Sequence, residues 1–354
     1  MKVALITDTH WGVRGDKLPF LENNKRFLDN VFFPYLTKNG IKRVAHLGDL
    51  FDRRKYINFY TKHRLRTDFL EPMAGMGIEA DFLVGNHDTF YKNTNLINAH
   101  TELFKDRYSS FTIHPDPVER DFGGVKVCMV PWMCADNRKK TIDLIERTDA
   151  RICMGHLELA GFEMYEGSFV SYGTDPQLFD RFDITVSGHY HHRSSNGKVH
   201  YLGSHAEFTW ADYDDWRGFN VLDTETLRLE FVVNPYTMFR KVWYNDEGRD
   251  VVDIMREDFD SCSGKIVKVI VSSKSNPYWF DLFMERLEKA DPSDVVIVED
   301  HMNMDLDDED LIDDAESTID IFKKYIAQLG ADESSKQELE AMIVELYNEA
   351  QRVG

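Results

Sequence analysis

The chain has few cysteines and no long hydrophobic run. Its four cysteines, Cys128, Cys134, Cys153 and Cys262, lie far apart and form no Cys-x-x-Cys pair. This pattern argues against a disulfide framework and favours reduced thiols in a cytosolic protein. No stretch approaches eighteen apolar residues, and the first apolar run, Val3 to Ile6, is interrupted at once by polar residues. We therefore expect neither a membrane span nor a signal peptide, and a cytoplasmic location.

The chain also has fewer positive than negative charges, and this imbalance is unevenly distributed along the sequence. The net charge of −20 would by itself argue against a nucleic-acid partner. Residues 1–150, however, hold 23 Lys+Arg against 20 Asp+Glu, a balance of +3, whereas residues 151–354 hold 19 against 42, a balance of −23. The first half contains three basic clusters: Arg53-Arg54-Lys55, then Lys62, Arg64 and Arg66, then Arg138-Lys139-Lys140. These clusters are either solvated surface charge or contacts to the phosphates of a nucleic acid, and Arg53, Arg54 and Lys55 are the candidates for such contacts.

Five short polar motifs occur in order along the chain, and each follows an apolar, β-branched run of strand length. The motifs are Asp8-Thr9-His10, Gly48-Asp49-Leu50-Phe51-Asp52, Gly85-Asn86-His87-Asp88, Gly155-His156 and Gly188-His189-Tyr190-His191. Such runs, bounded by polar residues or Gly, predict buried strands. Because open α/β sheets bind their ligands beyond the carboxyl ends of the strands, we expect the five loops to converge on one edge.

At 354 residues the chain is long enough for two or three domains. Strand patterns alternate with helical ones (Glu22 to Tyr35, Tyr60 to Met76, Arg138 to Arg147), and strands dominate beyond Gly123-Gly124. This order predicts an α/β (α+β) fold, a four-layer αββα sandwich over residues 1–235. Residues 236–300 predict a small β-α-β capping or DNA-binding domain, with strands at Lys265–Ser272 and Val295–Val298 around a helix at Tyr278–Lys289.

The last part of the chain has a different composition. Residues 299–320 contain eleven carboxylates and no Lys or Arg, so we expect residues 301–318 to be an acidic linker. A calcium loop is the alternative, but the ligand spacing and central Gly of an EF-hand are missing. Residues 319–354 predict two amphipathic helices, which either pack on the body of the protein or bind a partner. Their apolar positions include Phe322, Tyr325, Ile326, Leu339, Met342, Ile343 and Leu346.

The motif residues have the chemistry of a centre that binds two divalent metal ions. Phosphodiester hydrolysis needs charge neutralisation and an activated water, which two ions about 3.5–4 Å apart supply. Asp8 and His10 are two residues apart, so in an extended segment they face the same way and can bind one ion. We predict Asp49 as the bridging ligand and Asn86 as an amide ligand of the other ion. His156, His189 and His191 complete the predicted ligands, a set that suits Mn2+, Fe2+ or Zn2+, with Mn2+ expected first.

His87 is the predicted catalytic residue, because it adjoins the ligand Asn86 but points elsewhere and is free to act as a general acid. Asp88 or Asp52 is expected to hold its imidazole in the useful tautomer. We interpret the histidines outside the motifs as structural. His192 and His205 are the strongest exceptions, since they lie near the last motif.

At these motifs the sequence resembles the calcineurin-like metallophosphoesterase superfamily, and within it the recombination-repair nucleases: the bacterial SbcD type, the meiotic-recombination nuclease and their T-even phage counterpart. The resemblance covers the whole chain. It implies one metal held by Asp8, His10, Asp49 and His191, a second held by Asp49, Asn86, His156 and His189, and His87 as the catalytic histidine. Asp52 departs from the pattern, because many of these nucleases have His there.

The resemblance also implies Mn2+-dependent DNA cleavage, a homodimer, and a partner that is an SMC-like coiled-coil ATPase of the SbcC type. It implies the host cytoplasm as the location if the protein is of phage origin. The leading hypothesis is therefore a DNA exonuclease or endonuclease of a repair or recombination complex. The main alternative is a phosphodiesterase or phosphatase of the same superfamily acting on nucleotides or phosphoproteins. A scaffold that has lost catalysis is disfavoured, because no predicted ligand is missing.

Overall fold

The structure is a computed structural model that describes residues 1–165, residues 167–299 and Ile326. The predicted acidic linker (301–318) and, apart from Ile326, the predicted partner-binding segment (319–354) lie outside the described residues. Within the described part, no helix is long and apolar enough to cross a membrane. The four cysteines are buried free thiols.

The described strands form two large sheets, one small sheet and one hairpin. In chain order they are β1 (Lys2–Ile6), β2 (Arg43–His46), β3 (Glu79–Leu83), β4 (Phe111–His114), β5 (Val118–Asp121), β6 (Lys126–Val130), β7 (Ile152–His156), β8 (Glu163–Tyr165), β9 (Ser168–Phe169), β10 (Ile184–Gly188), β11 (Ser194–Ser195), β12 (Val199–Tyr201), β13 (Gly218–Asp223), β14 (Leu229–Val233), β15 (Phe239–Asn245), β16 (Ile266–Ser273) and β17 (Asp294–Glu299).

The first large sheet has the order β14-β13-β1-β2-β3-β4, and the second has the order β11-β12-β10-β7-β6-β5. Strands β1 to β4 run parallel, and β13 and β14 add antiparallel partners at one edge. In the second sheet β6, β7, β10 and β12 run parallel. The motif-bearing strands are therefore neighbours in both sheets: β1, β2 and β3 in one, β7 and β10 in the other.

The described α-helices flank these sheets or lie in the loops between strands. They are α1 (Val13–Asp16), α2 (Leu18–Phe27), α3 (Phe33–Asn39), α4 (Phe59–Leu65), α5 (Glu71–Gly75), α6 (Ala99–Phe104), α7 (Arg138–Arg147), α8 (Val251–Ile254) and α9 (Pro277–Lys289). Five-residue π-helical segments join α2 to α3 and α4 to α5, so the two longer helices expected from the sequence are each interrupted by one wide turn. Helix α7 has the predicted bounds.

Three buried clusters divide the main body into four layers. Alternate residues of β1 point to opposite faces of the sheet: Val3 and Leu5 join the core between the two sheets, and Ala4 and Ile6 join the core beneath the first helices. A third cluster packs helix α7 on the outer face of the second sheet. Because both faces of each central strand are buried, the strands read as continuous apolar runs. The predicted αββα sandwich is confirmed.

A smaller parallel sheet follows, in the order β15-β16-β17. Helix α9 connects β16 to β17, and its Phe280, Phe283 and Leu287 pack on Val267 and Val269 of β16. The sequence predicted only two strands here. The third, β15, was missed because its charged Arg240 and Lys241 break the apolar pattern.

Candidate metal centre

The seven predicted metal ligands lie on five loops or strand ends of the two large sheets. Asp8 and His10 follow β1, Asp49 follows β2, Asn86 follows β3, His156 ends β7, and His189 and His191 follow β10. The structure brings six of them together in two groups, within each of which the ligand atoms lie within 4.8 Å of one another: Asp8 with His10 and His191, and Asp49 with His156 and His189. The loops therefore converge at the carboxyl ends of the strands, as the motif positions indicate.

The first group is held by short contacts between distant loops. Nε2 of His10 lies 3.0 Å from Nε2 of His191. The Asp8 carboxylate accepts hydrogen bonds from the Thr7 hydroxyl (2.6 Å) and from the backbone N–H of His189 (3.1 Å). The Asp8 side chain therefore fixes the loop that carries the histidines of the other sheet.

The second group surrounds the amide oxygen of Asn86. Its Oδ1 lies 2.9 Å from Nε2 of His156 and 3.0 Å from Nδ1 of His189. His156 donates from Nδ1 to the Leu47 carbonyl (2.8 Å), so a neutral His156 directs the lone pair of Nε2 towards the amide oxygen. Two acceptors facing each other repel unless a proton or a cation lies between them. The donor set of this group therefore fits a divalent metal ion.

Asp49 lies between the two groups. Its Oδ2 is 3.4 Å from Nε2 of His156 and 4.0 Å from Nε2 of His10, while its Oδ1 accepts the backbone N–H of His87 at 2.8 Å. Burial raises the pKa of Asp49, but the imidazoles of His156, His87 and His10 lower it well below its usual range. The residue is thus an ionised carboxylate placed where a bridge between two ions would lie.

The potential of the site favours positive charge. Burial lowers the pKa of His156, but the neighbouring Asp49 and Asp8 carboxylates outweigh burial and raise it to about 9. A cation at this position would experience the same attraction as the proton does. The acceptors and the potential therefore both fit metal binding.

The backbone at the ligands is strained. Asp8, His10, Asp49 and His189 have φ of 49°, 41°, 53° and 92°, in the left-handed region that residues with a Cβ seldom adopt. Such conformations cost on the order of 1–3 kcal/mol each and persist only where the surrounding structure imposes them. Four strained residues in one site indicate that the loops are shaped for ligand geometry and not for stability.

The glycines of the second and third motifs allow these loops to pack tightly. A Cβ on Gly48, whose φ is 101°, would collide with the His156 imidazole, and a Cβ on Gly85 would collide with the Asp49 carboxylate. Each glycine precedes a predicted ligand and contacts a ligand from another loop. The Gly-Asp and Gly-Asn pairs are therefore a packing requirement of the centre.

His87, the predicted catalytic residue, is half-buried beside the first group. Its ring lies edge-on to the His10 ring, with a centroid distance of 5.0 Å. Its Nδ1 donates to the main-chain oxygen of Asp52 at 2.6 Å. The hydrogen bond fixes the ring and leaves Nε2 as the atom that can carry a transferable proton.

The two predicted supporting carboxylates have other contacts than the sequence suggested. Asp52 orients His87 through its backbone oxygen, and its carboxylate lies 3.7 Å from Nδ1 of His10. The Asp88 carboxylate accepts the backbone N–H groups of Phe51 (3.1 Å) and Gly85 (2.8 Å). Asp88 therefore ties the second motif loop to the third, which positions His87 indirectly.

Neither of the two histidines singled out near the last motif belongs to the ligand groups found among the described residues. His192 lies between Asp215 (2.7 Å) and Glu163 (3.1 Å), which raise its pKa. His205 bonds to Asn24 in the core, and burial lowers its pKa to about 3. Their contacts are those of structural histidines.

Arg217 supports the centre but carries no signal in the sequence. This buried guanidinium donates to the backbone oxygen of His191, to Ser204 Oγ (2.9 Å), and to the carboxylates of Asp212 (3.0 Å) and Asp215 (2.8 Å). It thereby holds the loop that carries His191. No motif could identify it, because it lies 26 residues from the ligand that it supports.

The candidate DNA contacts directly follow Asp52 in the chain. Arg53 pairs with Asp16 at 3.3 Å and lies over the Tyr56 ring, while Arg54 and Lys55 line an adjacent cleft.

Comparison with known proteins places the centre in a family. The sequence model of the calcineurin-like phosphoesterases matches residues 1–193, a segment that contains all seven predicted ligands. The chain belongs to this family. It is also 31% identical over 355 residues to exonuclease subunit 1 of Enterobacteria phage T4, and the match covers 99% of each chain. The resemblance to this family and to its phage nuclease is confirmed.

Two solved phosphoesterases show looser similarity. An archaeal phosphodiesterase covers 66% of this chain and 100% of its own, at 15% identity and a TM-score of 0.35. Purple acid phosphatase PPD1 from seeds of yellow lupin (Lupinus luteus) covers 65% of this chain and 52% of its own, at 14% identity and a TM-score of 0.38.

Proposed function

We propose that this calcineurin-like phosphoesterase is a DNA nuclease that hydrolyses phosphodiester bonds at a centre of two divalent metal ions. The observation that carries the proposal is the position of the Asp49 carboxylate, whose Oδ2 faces both His10 and His156. DNA is the proposed substrate because the full-length relative is named an exonuclease subunit.

Asp8, His10, Asp49 and His191 would hold one ion, and Asp49, Asn86, His156 and His189 the other. The mixture of imidazole, carboxylate and amide ligands supports Mn2+ as the proposed metal. When bound, the ions supply Lewis acidity and lower the pKa of a water nucleophile.

The chain itself supplies orientation and a proton. Asp8 and Asp49 anchor the loops of the opposite motifs through the backbone N–H groups of His189 and His87. His87, with Nδ1 bonded to the Asp52 carbonyl, would deliver a proton from Nε2 to the leaving oxygen. A leaving group protonated in this way needs no external acid.

The test is release of nucleotides from linear duplex DNA in Mn2+, compared with hydrolysis of bis-nitrophenyl phosphate. We expect both activities, and we expect EDTA to abolish both. His63→Ala, which removes an exposed histidine of α4, is the matched control for the centre. Turnover of bis-nitrophenyl phosphate or of nucleotides without any cleavage of DNA would instead favour the phosphodiesterase or phosphatase.

We further propose that the nuclease acts as a homodimer and as a subunit of a complex with an SMC-like coiled-coil ATPase. The support for the complex is that the full-length relative, exonuclease subunit 1, is itself a subunit. The small sheet within residues 236–300 is the proposed capping domain, and residues 319–354 are the proposed docking segment.

Deleting residues 319–354 should abolish capture by such an ATPase while Mn2+-dependent cleavage without ATP persists. Burying four of the apolar side chains of the segment is worth roughly 1.5–3 kcal/mol each before entropy is subtracted. Loss of cleavage together with a lower melting temperature would show that the segment belongs to the enzyme's own core.

A further inference from the structure

One ring nitrogen of His189 is buried without a hydrogen-bond partner. His189 faces the second ligand group through Nδ1, which lies 3.0 Å from Asn86 Oδ1, and its side chain is 6% exposed. Its other nitrogen, Nε2, has no hydrogen-bond partner in the described part of the chain. A neutral imidazole that gives the lone pair of Nδ1 to a metal ion carries its proton on Nε2. His189 as a ligand would therefore hold a buried N–H group that needs an acceptor.

The Glu158 carboxylate lies on the side of this nitrogen. Oε1 of Glu158 is 3.8 Å from Nε2 of His189. A hydrogen bond spans about 2.7–3.2 Å, so the carboxylate has to move by roughly 1 Å to accept the proton. The Glu158 side chain is 33% exposed, and among the described residues it has no Lys or Arg partner that would hold it back. Its rotation can therefore close the distance.

The backbone of Glu158 is fixed relative to His189. Glu158 follows His156 by two residues, and the strands β7 and β10, from which the two histidines project, are paired neighbours. Leu157 donates its N–H to Oγ of Ser187 on β10 at 2.9 Å. The main chain therefore keeps the Glu158 carboxylate beside the His189 loop, and the rotation of one side chain decides whether the bond forms.

The His189 ring is itself held by aromatic neighbours. Its centroid lies 5.2 Å from that of the Trp132 ring and 5.0 Å from that of the Tyr190 ring. Packing against two rings restricts the rotation of the imidazole. Nδ1 therefore stays at Asn86, and Nε2 stays on the side of Glu158.

We propose that Glu158 is a positioning residue of the metal centre, whose carboxylate accepts the Nε2–H of His189 and so presents the Nδ1 lone pair to an ion. The inference rests on the proposed two-metal centre and deepens it. Histidines that bind metals commonly donate their second N–H to a carboxylate or carbonyl, which fixes the tautomer and strengthens the ligand. His156 has such an acceptor in the Leu47 carbonyl at 2.8 Å. Glu158 would supply the equivalent acceptor to His189.

Calorimetric titration of the full chain with Mn2+, in the absence of DNA, tests the proposal without relying on activity. Glu158→Ala should bind one of the two ions about 10–100-fold more weakly. Glu158→Gln, which keeps an acceptor oxygen at this position, should recover part of the loss. Glu146→Ala, which removes an exposed glutamate of α7, is the matched control and should bind both ions as the unaltered protein does.

Melting temperatures in EDTA separate positioning from a structural role. Because the proposed bond orients a metal ligand, Glu158→Ala and Glu146→Ala should melt together when no ion is bound. Unchanged Mn2+ affinity of Glu158→Ala would overturn the proposal. A weaker affinity that accompanies a lower melting temperature in EDTA would overturn it as well, since Glu158 would then support the fold and not the ligand.

Proton NMR of the Zn2+-loaded protein with isotope-labelled histidine reports on the bond itself. The Nε2–H resonance of His189 is assigned by its absence from His189→Gln. An N–H that is bonded to a carboxylate is protected from exchange with water, so we expect the resonance in the unaltered protein, in Glu158→Gln and in Glu146→Ala, and its loss in Glu158→Ala. If the resonance persists in Glu158→Ala while metal affinity falls, Glu158 acts by another route, such as direct coordination, and the proposal fails.

Failure of the proposed function gives a different result. If the unaltered protein binds no pair of Mn2+ ions, the two-metal centre is refuted, and the role of Glu158 with it. If it binds two ions and Glu158→Ala binds both equally well, the centre stands and the assignment of Glu158 alone is wrong.

Discussion

Asp49 and Asp81 are carboxylates of similar burial in the first sheet, 2% and 1% exposed, yet their surroundings are opposite. Asp81, on β3, accepts from Arg43 (2.7 Å and 3.0 Å), His114 (2.8 Å) and Arg120 (3.0 Å). In the described part of the chain Asp49 has no Lys or Arg partner. It is surrounded by imidazole nitrogens and by the backbone N–H of His87.

The difference separates a carboxylate that is balanced by arginine side chains from one that is surrounded by possible metal ligands. Burial raises the pKa of both carboxylates, but neighbouring groups lower it below its usual value. These groups are His114, Arg43 and Arg120 at Asp81, and the histidine imidazoles at Asp49. The Asp81 cluster is neutralised by permanent cations and needs no ligand. The imidazoles around Asp49 are acceptors when they are neutral. The negative charge of Asp49 is therefore balanced only when cations bind between these groups.

The largest expected effect comes from Asp49→Ala, because loss of the bridge affects both ions. We expect activity on every substrate to fall by about three orders of magnitude or more, since metal-ion catalysis contributes several kcal/mol. Calorimetric titration with Mn2+ checks the cause. Two tightly bound ions in this variant would refute the bridging assignment.

Next in size is His87→Ala. The residue is assigned to proton transfer and not to coordination, so turnover should fall by about 10²–10⁴-fold. Mn2+ affinity and DNA affinity should stay at the level of the His63→Ala control. A variant that loses metal would show that His87 is a ligand.

Arg217→Lys should have a smaller effect. A lysine cannot bond at once to the His191 carbonyl, Ser204, Asp212 and Asp215, so the His191 loop loses its fixed position. Loss of such an outer contact commonly costs about 10–100-fold in metal affinity. Mn2+ titration measures it, with the exposed Arg151→Lys as the control. Unchanged affinity would mean that the loop is held without Arg217.

The sequence alone was enough to predict those parts of the centre that depend on the local pattern of apolar and polar residues. Strands that are buried on both faces appear as continuous apolar runs, and the ends of these runs place Asp8, Asp49 and Asn86 at strand ends. The αββα layers follow from the same runs. Local pattern therefore predicts which residues the structure brings together at the strand ends.

The sequence could not predict contacts between segments that are far apart in the chain. Arg217 supports His191 across 26 residues, and Asp52 orients His87 with a backbone atom that every residue possesses. The Asp81 cluster joins four residues that share no motif. Such contacts depend on how the two sheets pack, and the spacing of apolar residues in the sequence does not predict that packing.

Asp81→Asn should have the smallest effect on catalysis and the clearest effect on stability. Removing the charge leaves Arg43 and Arg120 facing a neutral amide, and breaking a buried ion pair in this way costs about 3–5 kcal/mol of unfolding free energy. Because the cluster lies outside both ligand groups, the folded variant should keep the turnover and the Mn2+-induced rise in melting temperature that Asp49→Ala loses.

The pH dependence gives an independent check on the Asp81 cluster. The folded pKa of Asp81 lies below its unfolded value, so its stabilisation is present above an unfolded pKa of about 4 and is lost as the pH falls through the folded pKa. Melting temperatures in EDTA should therefore separate the unaltered protein from Asp81→Asn at neutral pH and converge in acid. Equal separation at every pH would show that the loss comes from packing and not from charge, and the contrast between the two buried carboxylates would lose its electrostatic basis.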